Sequence, residues 1–160
     1  MKKQRIYVDT SVIGGCFDKE FLLWSNGLMK DFHLGNYFPV FSEIVSAEIE
    51  GAPEYVKNQY RLLMSLNPEV LEVNEESLNL AEVYQKEKIL TPKYYDDGLH
   101  IALATVADID VLVSWNFKHI VRFDKIRLYN SVHQALGYKQ LQIFSPREVT
   151  NYEEKEYQVS

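Results

Sequence analysis

The residues of this 160-residue chain that could do chemistry are acidic and amide side chains placed near short apolar runs. Carboxylates that lie close together repel one another, and a divalent cation removes that penalty. Mg²⁺ prefers oxygen ligands, lowers the pKa of a bound water and stabilises a phosphate group during phosphodiester hydrolysis. The side chains that could contribute are Asp9, Glu43, Glu48, Glu50, Asp96, Asp97 and Asn116.

Each of these residues also has an ordinary structural explanation. Asp9 could cap the segment that follows it, and Glu48 could be a solvated charge on a helix. Asp96 and Asp97 could complement the helix dipole in a first turn, and Asn116 could form a turn. Their joint recurrence after apolar runs favours a site over four separate explanations.

The elements that must position these residues follow from an alternation of β-type runs and helical patterns. The alternation predicts an α/β fold, a three-layer α/β/α sandwich around a central, mostly parallel five-stranded sheet. Sites in such a sheet form outside the carboxyl ends of the strands. Strands are predicted over 5–9, 38–41, 70–73, 111–114 and 141–144, and helices over 20–34, 42–50, 53–66, 91–106 and 122–136, with a further helix after Asn74.

Several residues predict where these helices begin and end. Ser42 and Asn74 are typical N-cap residues. Ser145 and Glu148 have the spacing of a capping box. Gly137 is a natural C-terminal stop for the helix before it.

The net charge of −6 argues against a broad polyanion binder but does not exclude a nuclease, because a carboxylate cluster would supply several of these charges. Basic residues bunch in one stretch and form either a solvated helix face or a rim that contacts phosphate. The single cysteine excludes an intramolecular disulfide and a Cys-rich zinc site. The bunched basic residues are Lys118, Arg122, Lys125 and Arg127.

The sequence predicts one domain, 1–150, followed by a polar tail, 151–160. The apolar run after the basic N-terminus is three residues long, too short for a signal peptide. No stretch reaches the roughly 20 apolar residues of a membrane span. We therefore expect a cytoplasmic protein without a membrane partner.

Four segments resemble, in the same order, the segments that carry the acidic residues of PIN domains. The short stretch 145–148 also fits the usual close of that family. The resemblance covers most of the chain. The segments are 6–12, with Asp9 after an apolar strand, 41–49, ending near Glu48, 97–104, in which Asp97 opens an apolar helix, and 112–120, with Asn116.

The resemblance implies a Mg²⁺- or Mn²⁺-dependent endoribonuclease, and specifically a VapC-like toxin held inactive by a cognate antitoxin. It also implies an RNA substrate and a homodimer. By the same carry-over, Asp9, Glu48 and Asp97 are metal ligands, directly or through water, and Asn116 takes the fourth acidic position. Thr10 or Ser114 would orient water or a ligand.

Two departures from the family pattern affect this interpretation. Many members have Asp where this chain has Asn116, and an amide binds a cation more weakly, so a second metal is in doubt. Gly98 replaces a small Ala, with little expected effect. Asp97 is preferred to Asp96 because the following Leu-His-Ile-Ala aligns only with Asp97.

The remaining assignments are RNA contacts and competing functions. Lys118, His119 and Arg122 are possible RNA-binding residues, and His100 is interpreted as a structural histidine. The alternative function is a catalytically impaired PIN-like module that binds RNA or a protein partner. A haloacid-dehalogenase-like phosphatase is disfavoured because it needs a second Asp at position 11, which is Ser.

Overall fold

The computed structural model describes residues 2–151, in which five strands and eight α-helices alternate. Nearly all of the predicted polar tail, residues 152–160, lies outside the described residues. The elements are β1 Arg5–Val8, α1 Thr10–Gly15, α2 Leu22–His33, β2 Phe38–Ser42, α3 Glu43–Glu50, α4 Glu54–Met64, β3 Glu69–Leu71, α5 Glu75–Lys86, α6 Tyr95–Val106, β4 Val111–Val113, α7 Phe123–Ala135, β5 Gln142–Phe144 and α8 Pro146–Val149, with a 3-10 turn at Pro92–Tyr94.

The five strands form one sheet in the order β3-β2-β1-β4-β5, and every pairing is parallel. The central strand β1 pairs with β2 through Ile6 and Pro39 and with β4 through Ile6 and Val111. The strand order therefore reverses at β1, and the carboxyl end of β1 is where a parallel sheet opens a crevice. The predicted α/β fold with a five-stranded parallel sheet is confirmed.

Alternate residues of the strands enter two separate hydrophobic cores, because successive side chains of a strand point to opposite faces. Tyr7, Val40 and Leu112 join a core with α5, α6 and α7. Ile6 and Phe41 join a second core with α1, α2, α3 and α4. Helices thus cover both faces of the sheet, which accounts for its nearly continuous apolar strands.

The predicted helix signals are confirmed. Ser42 accepts a hydrogen bond from the Ile44 amide at the start of α3. Asn74 and Ser77 form a capping box, as do Ser145 and Glu148. The left-handed residue Gly137, at φ 86°, ends the turn after α7.

Three details differ from the sequence-based expectations. Helix α1 was not predicted, because its six residues end in two glycines and carry no helical periodicity. Strand β3 begins at Glu69 and ends at Leu71, rather than spanning 70–73. The helical spacing of apolar residues after Asn74 also predicts Leu78 in the apolar stripe of α5, but Leu78 is exposed. Between residues 2 and 151 no helix is long and apolar enough to cross a membrane.

Candidate active site

The carboxyl ends of three neighbouring strands bring the candidate residues to one edge of the sheet. Asp9 follows β1, Ser42 ends β2 and Ser114 follows β4. Glu48 stands on α3, which begins directly after β2, and Asp97 lies in the first turn of α6. The topology therefore places the predicted residues around the point where the strand order reverses.

Asp9 is a buried carboxylate held by two hydroxyl groups. Ser11 Oγ donates to Oδ1 and Ser114 Oγ donates to Oδ2, each at 2.6 Å. Burial raises the pKa of Asp9, and His100 and the two serines partly offset that rise. Asp9 is the N-cap residue of α1, but its side chain makes no capping hydrogen bond. The Val12 amide in the first turn of α1 nevertheless lowers the pKa of Asp9, so this carboxylate also acts on the start of the helix.

The two serines also tie the segments after β1 and β4 together. Ser11 Oγ accepts a hydrogen bond from the Trp115 amide at 2.9 Å. Ser114 Oγ accepts one from the Asn116 amide, also at 2.9 Å. Since each hydroxyl donates to Asp9 and accepts from the backbone after β4, the orientation of the carboxylate is fixed by both segments.

Glu48 receives two hydrogen bonds on the same oxygen. Thr10 Oγ1 donates to Oε1 at 2.8 Å, and His100 Nε2 lies 2.8 Å from the same atom. Partial burial raises the pKa of Glu48, but the contacts with His100 and Thr10 outweigh burial and leave it below its ordinary value. Glu48 is therefore anchored by two hydrogen bonds, which a freely solvated helix charge would not be.

His100 lies buried between the carboxylates and the core. Its Nδ1 is 2.7 Å from the Tyr7 hydroxyl, which lies 2.7 Å from Ser42 Oγ. Burial lowers the pKa of His100, but Glu48, Asp9 and Asp97 together raise it above the ordinary value. The interpretation of His100 as a structural histidine missed its direct contact with Glu48.

Asp97 is a half-buried carboxylate at the same edge. Burial raises its pKa, a hydrogen bond from the Asn116 side chain and the nearby His119 and His100 lower it, and Glu48 raises it again. The adjacent Asp96 is exposed. Asp97 thus shares an electrostatic environment with Glu48 and His100.

Asn116 organises the loop after β4. Its Oδ1 accepts a hydrogen bond from the His119 amide at 2.9 Å. The oxygen thus holds the loop, and the NH₂ group is the part that contacts Asp97. In this arrangement Asn116 supports Asp97 as a hydrogen-bond donor.

The predicted RNA-binding residues lie on the loop between β4 and α7, and one of them, His119, acts electrostatically on Asp97 in α6. The His119 ring packs on Tyr94 with a centroid distance of 3.7 Å, and Lys118 Nζ lies 5.6 Å from the Tyr94 ring centroid. Arg122 pairs with Asp124 through Nε and Oδ1 at 2.8 Å. Burial lowers the pKa of His119, and the surrounding cationic side chains, Lys118, Lys125 and Arg122, lower it further.

The oxygen donors at this edge suit a hard divalent cation in kind, because carboxylates are the preferred ligands of Mg²⁺ and Mn²⁺. Their present arrangement is not a ready coordination group. Among residues 2–151, no set of three or more His, Cys, Asp or Glu residues is placed to hold a metal ion. Both oxygens of Asp9 and one oxygen of Glu48 are already bonded within the protein.

The fold is similar to that of a chain in the crystal structure of VapBC2 from Rickettsia felis bound to a DNA fragment from their promoter. The TM-score is 0.55 at 15% sequence identity, and the match covers 88% of this chain and 98% of that chain. No protein-family model matches this chain, and no curated protein matches its sequence. The likeness shows a shared fold and confirms the predicted three-layer α/β/α architecture.

The sequence alone did not reveal Tyr7, Ser11 and Ser42 as partners of the site. Tyr7 looks like one more apolar residue of a buried strand, and Ser42 looks like a helix cap, which it also is. One signal was available: His100 stands three residues after Asp97, and residues three apart share a helix face. The spacing of Asp97 and His100 on α6 therefore indicates that His100 faces the same site as Asp97.

Proposed function

We propose that this chain is a divalent-metal-dependent endoribonuclease that hydrolyses RNA phosphodiester bonds and is the toxin of a type II toxin-antitoxin pair. The observation that carries the proposal is the convergence of Asp9, Glu48 and Asp97 around the buried His100 at the carboxyl end of β1. Acidic side chains gathered from separate elements at a sheet crevice are suited to hold a divalent cation, which can assist phosphodiester hydrolysis.

In this proposal Asp9, Glu48 and Asp97 hold Mg²⁺ or Mn²⁺, directly or through water. When bound, such an ion would neutralise charge on the scissile phosphate and lower the pKa of a bound water. Ser114 and Thr10 orient two of the carboxylates by hydrogen bonding. Because the side chain of Asn116 donates a hydrogen bond to Asp97, its proposed part is to support Asp97.

RNA would approach across the loop after β4. Lys118, Arg122 and Lys125 act electrostatically on His119, and His119 acts on Asp97, so basic side chains gather on the loop that borders Asp97. Cationic side chains contact phosphates without reading sequence. We assign the phosphate contacts to Lys118 and Arg122. Both ring nitrogens of His119 are buried without a hydrogen-bond partner, so His119 would contact phosphate only after its ring turns towards solvent.

The toxin assignment is supported by the shared fold with a chain of the VapBC2 complex. It carries the expectation of a cognate antitoxin, of a homodimer and of a cytoplasmic location. An antitoxin could occupy the site with an Arg or Lys, because carboxylates with unshared oxygen lone pairs attract a guanidinium or ammonium group.

A second candidate is a catalytically impaired module that binds RNA or a protein partner. The favouring observation is that Asp9 and Glu48 are bonded internally and form no ready metal group within residues 2–151. Asn116 in place of an acid points the same way. The two candidates differ in whether RNA is cut.

The test is cleavage of a mixed pool of structured and unstructured RNAs by the purified full chain with Mg²⁺ or Mn²⁺ and with EDTA. We expect metal-dependent cleavage that falls by about 100-fold or more in Asp9→Asn and Asp97→Asn. Asp108→Asn is the matched control, because Asp108 is exposed at the opposite edge of the sheet and its φ of 54° suits asparagine.

Cleavage that persists in EDTA, or that is equal in Asp9→Asn and the wild type, would contradict the nuclease proposal. Intact RNA under every metal condition, together with tight binding of RNA or of a partner, would favour the impaired module instead.

A further inference from the structure

Glu48 is anchored through a chain of buried hydrogen bonds that begins at the end of β2. Ser42 Oγ contacts the Tyr7 hydroxyl, Tyr7 contacts His100 Nδ1, and His100 Nε2 contacts Glu48 Oε1, at 2.7, 2.7 and 2.8 Å. Tyr7, Ser42 and His100 are all at most 3% exposed. The chain therefore links the core of the protein to a carboxylate at its surface.

Both charge states of His100 allow a complete set of hydrogen bonds. With a neutral ring, Ser42 donates to Tyr7, Tyr7 donates to Nδ1, and the imidazole hydrogen lies on Nε2. With a cationic ring, Nδ1 donates to Tyr7 and Tyr7 donates to Ser42. In both states Nε2 carries a hydrogen that it can donate to Glu48.

Both hydrogen bonds to the Glu48 side chain go to the same carboxylate oxygen, and neither of them uses Oε2. Thr10 and His100 both contact Oε1. A carboxylate bonded in this way is fixed in orientation while Oε2 keeps its lone pairs for another ligand. Groups behind a metal-binding side chain commonly set its orientation and the affinity of the site.

We propose that His100, supported by Tyr7, is a positioning residue that fixes Glu48 so that Oε2 can bind the divalent cation. The inference rests on the proposed metal-dependent function. His100 does not touch the RNA or the reacting atoms in this account. It acts by holding Glu48, and Tyr7 acts by fixing the ring orientation of His100.

The protein contains a matched internal control for these substitutions. Tyr84 and His133 form a second buried tyrosine–histidine pair, in the core between α5 and α7, in which the Tyr84 hydroxyl contacts His133 Nε2. The other ring nitrogen, Nδ1, contacts Asn130 Oδ1 at 2.9 Å. Burial alone accounts for the shifted pKa of His133, so this pair has no carboxylate to position.

The experiment is Mn²⁺ binding to the metal-free full chain by isothermal titration calorimetry, with thermal unfolding as a check on folding. His100→Asn should weaken Mn²⁺ binding by about 10- to 100-fold. His100→Gln should recover part of that loss, because its longer side chain can bring an amide hydrogen to Glu48. Tyr7→Phe should weaken binding less than His100→Asn, because the imidazole remains.

Tyr84→Phe and His133→Asn should lower the unfolding temperature and leave the affinity for Mn²⁺ unchanged. If wild type and His100→Asn bind Mn²⁺ equally, or if Tyr84→Phe weakens binding as much as Tyr7→Phe, the positioning role is wrong while the proposed function stands. If His100→Asn does not fold, the Mn²⁺ affinities of Tyr7→Phe and Tyr84→Phe are compared instead. Weaker binding by Tyr7→Phe alone supports the positioning role, and equal affinities contradict it. Wild type that binds no Mn²⁺ overturns the proposed function itself.

Discussion

The two buried tyrosine–histidine pairs are built from the same side chains and lie in different surroundings. In one pair, Tyr7 contacts Nδ1 of His100, and Nε2 faces a carboxylate. In the other, Tyr84 contacts Nε2 of His133, and Nδ1 faces an amide oxygen. Burial lowers the pKa of His133 to about 4, whereas three carboxylates reverse the effect of burial on His100.

The difference in surroundings indicates that His133 has a packing role and that His100 has a role at a charged site. His133 is satisfied by neutral partners and belongs to the core between helices. His100 is equally buried but lies among acids that are themselves unfavourably placed, since burial raises the pKa of Asp9 and of Asp97. Groups that cost stability in the absence of a ligand mark functional sites more reliably than burial does.

The largest expected difference is between the pKa values of the two histidines. In metal-free protein, the ring proton signals of His133 should titrate near pH 4, and those of His100 above the ordinary value of 6.5. NMR spectra recorded from about pH 3.5 to 9, assigned with His→Asn variants, measure both. A His100 that titrates below 6.5 would show that the carboxylates do not govern its charge.

The next effect is the dependence of stability on pH that comes from His133. Because its folded pKa is below the unfolded value, the neutral ring stabilises the fold above about pH 6.5, and that stability is lost as the pH falls towards 4. The expected loss is about 3 kcal/mol. Urea denaturation from about pH 7 to 4 should show a smaller decline in His133→Asn than in the wild type.

The control for that measurement is His33→Asn, because His33 is exposed at the end of α2. This variant should follow the pH dependence of the wild type. An equal decline in wild type and His133→Asn would mean that His133 does not contribute in this pH range.

A smaller effect is expected beside the carboxylates, where Gly15 lets Trp115 approach helix α1. A Cβ at position 15 would lie 2.6 Å from both Ser25 Oγ and Trp115 Nε1. Gly15→Ala should therefore cost about 1–3 kcal/mol of unfolding free energy. Gly14→Ala is the matched control, since a Cβ there meets nothing within 4 Å and helix propensity favours alanine.

The effect of the two glycine variants on the NMR signals of His100 and His133 also distinguishes the two histidines. Trp115 lies between Ser114 and Asn116, so its displacement by the added methyl group in Gly15→Ala should shift the NMR signals of His100 and leave those of His133 in place. Equal stability of Gly15→Ala and Gly14→Ala would contradict the tight packing of Trp115 on α1.

The smallest effect concerns the cost of the Asp97 charge. Since its folded pKa is raised, the ionised carboxylate destabilises the metal-free protein at pH 7. Asp97→Asn should raise the unfolding free energy of metal-free protein by about 1 kcal/mol, with Asp108→Asn unchanged. Excess Mn²⁺ should stabilise the wild type and not Asp97→Asn. A less stable Asp97→Asn would indicate that the carboxylate has a structural role.

The sequence predicted the sheet and most helices because their signals are local. Apolar runs such as the one before Asp9 and caps such as Ser42 and Asn74 act within a few residues of where they stand. Helix α1 has no such signal. Its glycines disfavour a helix locally, and the requirement for Gly15 comes from Trp115, which is far away in the sequence.

The candidate site likewise has features that the sequence predicts and features that it does not. The approximate location of Asp9, Glu48 and Asp97 follows from their place after strands or at helix starts. Their partners do not, because Tyr7 and His100 are 93 residues apart and Asp9 and Ser114 are 105 apart. Neither contact has a local pattern. The placement of carboxylates was therefore predictable, and the hydrogen bonds that orient them were not.

The central claim is that Asp9, Glu48 and Asp97 bind one divalent cation. The most direct measurement is the electron paramagnetic resonance signal of free Mn²⁺ during titration with metal-free wild type, Asp9→Asn and Asp108→Asn at neutral pH. Saturable loss of the signal with wild type and Asp108→Asn, and its persistence with Asp9→Asn, is the predicted result. A signal that wild type leaves unchanged, or that Asp9→Asn depletes as strongly as wild type, would contradict the claim.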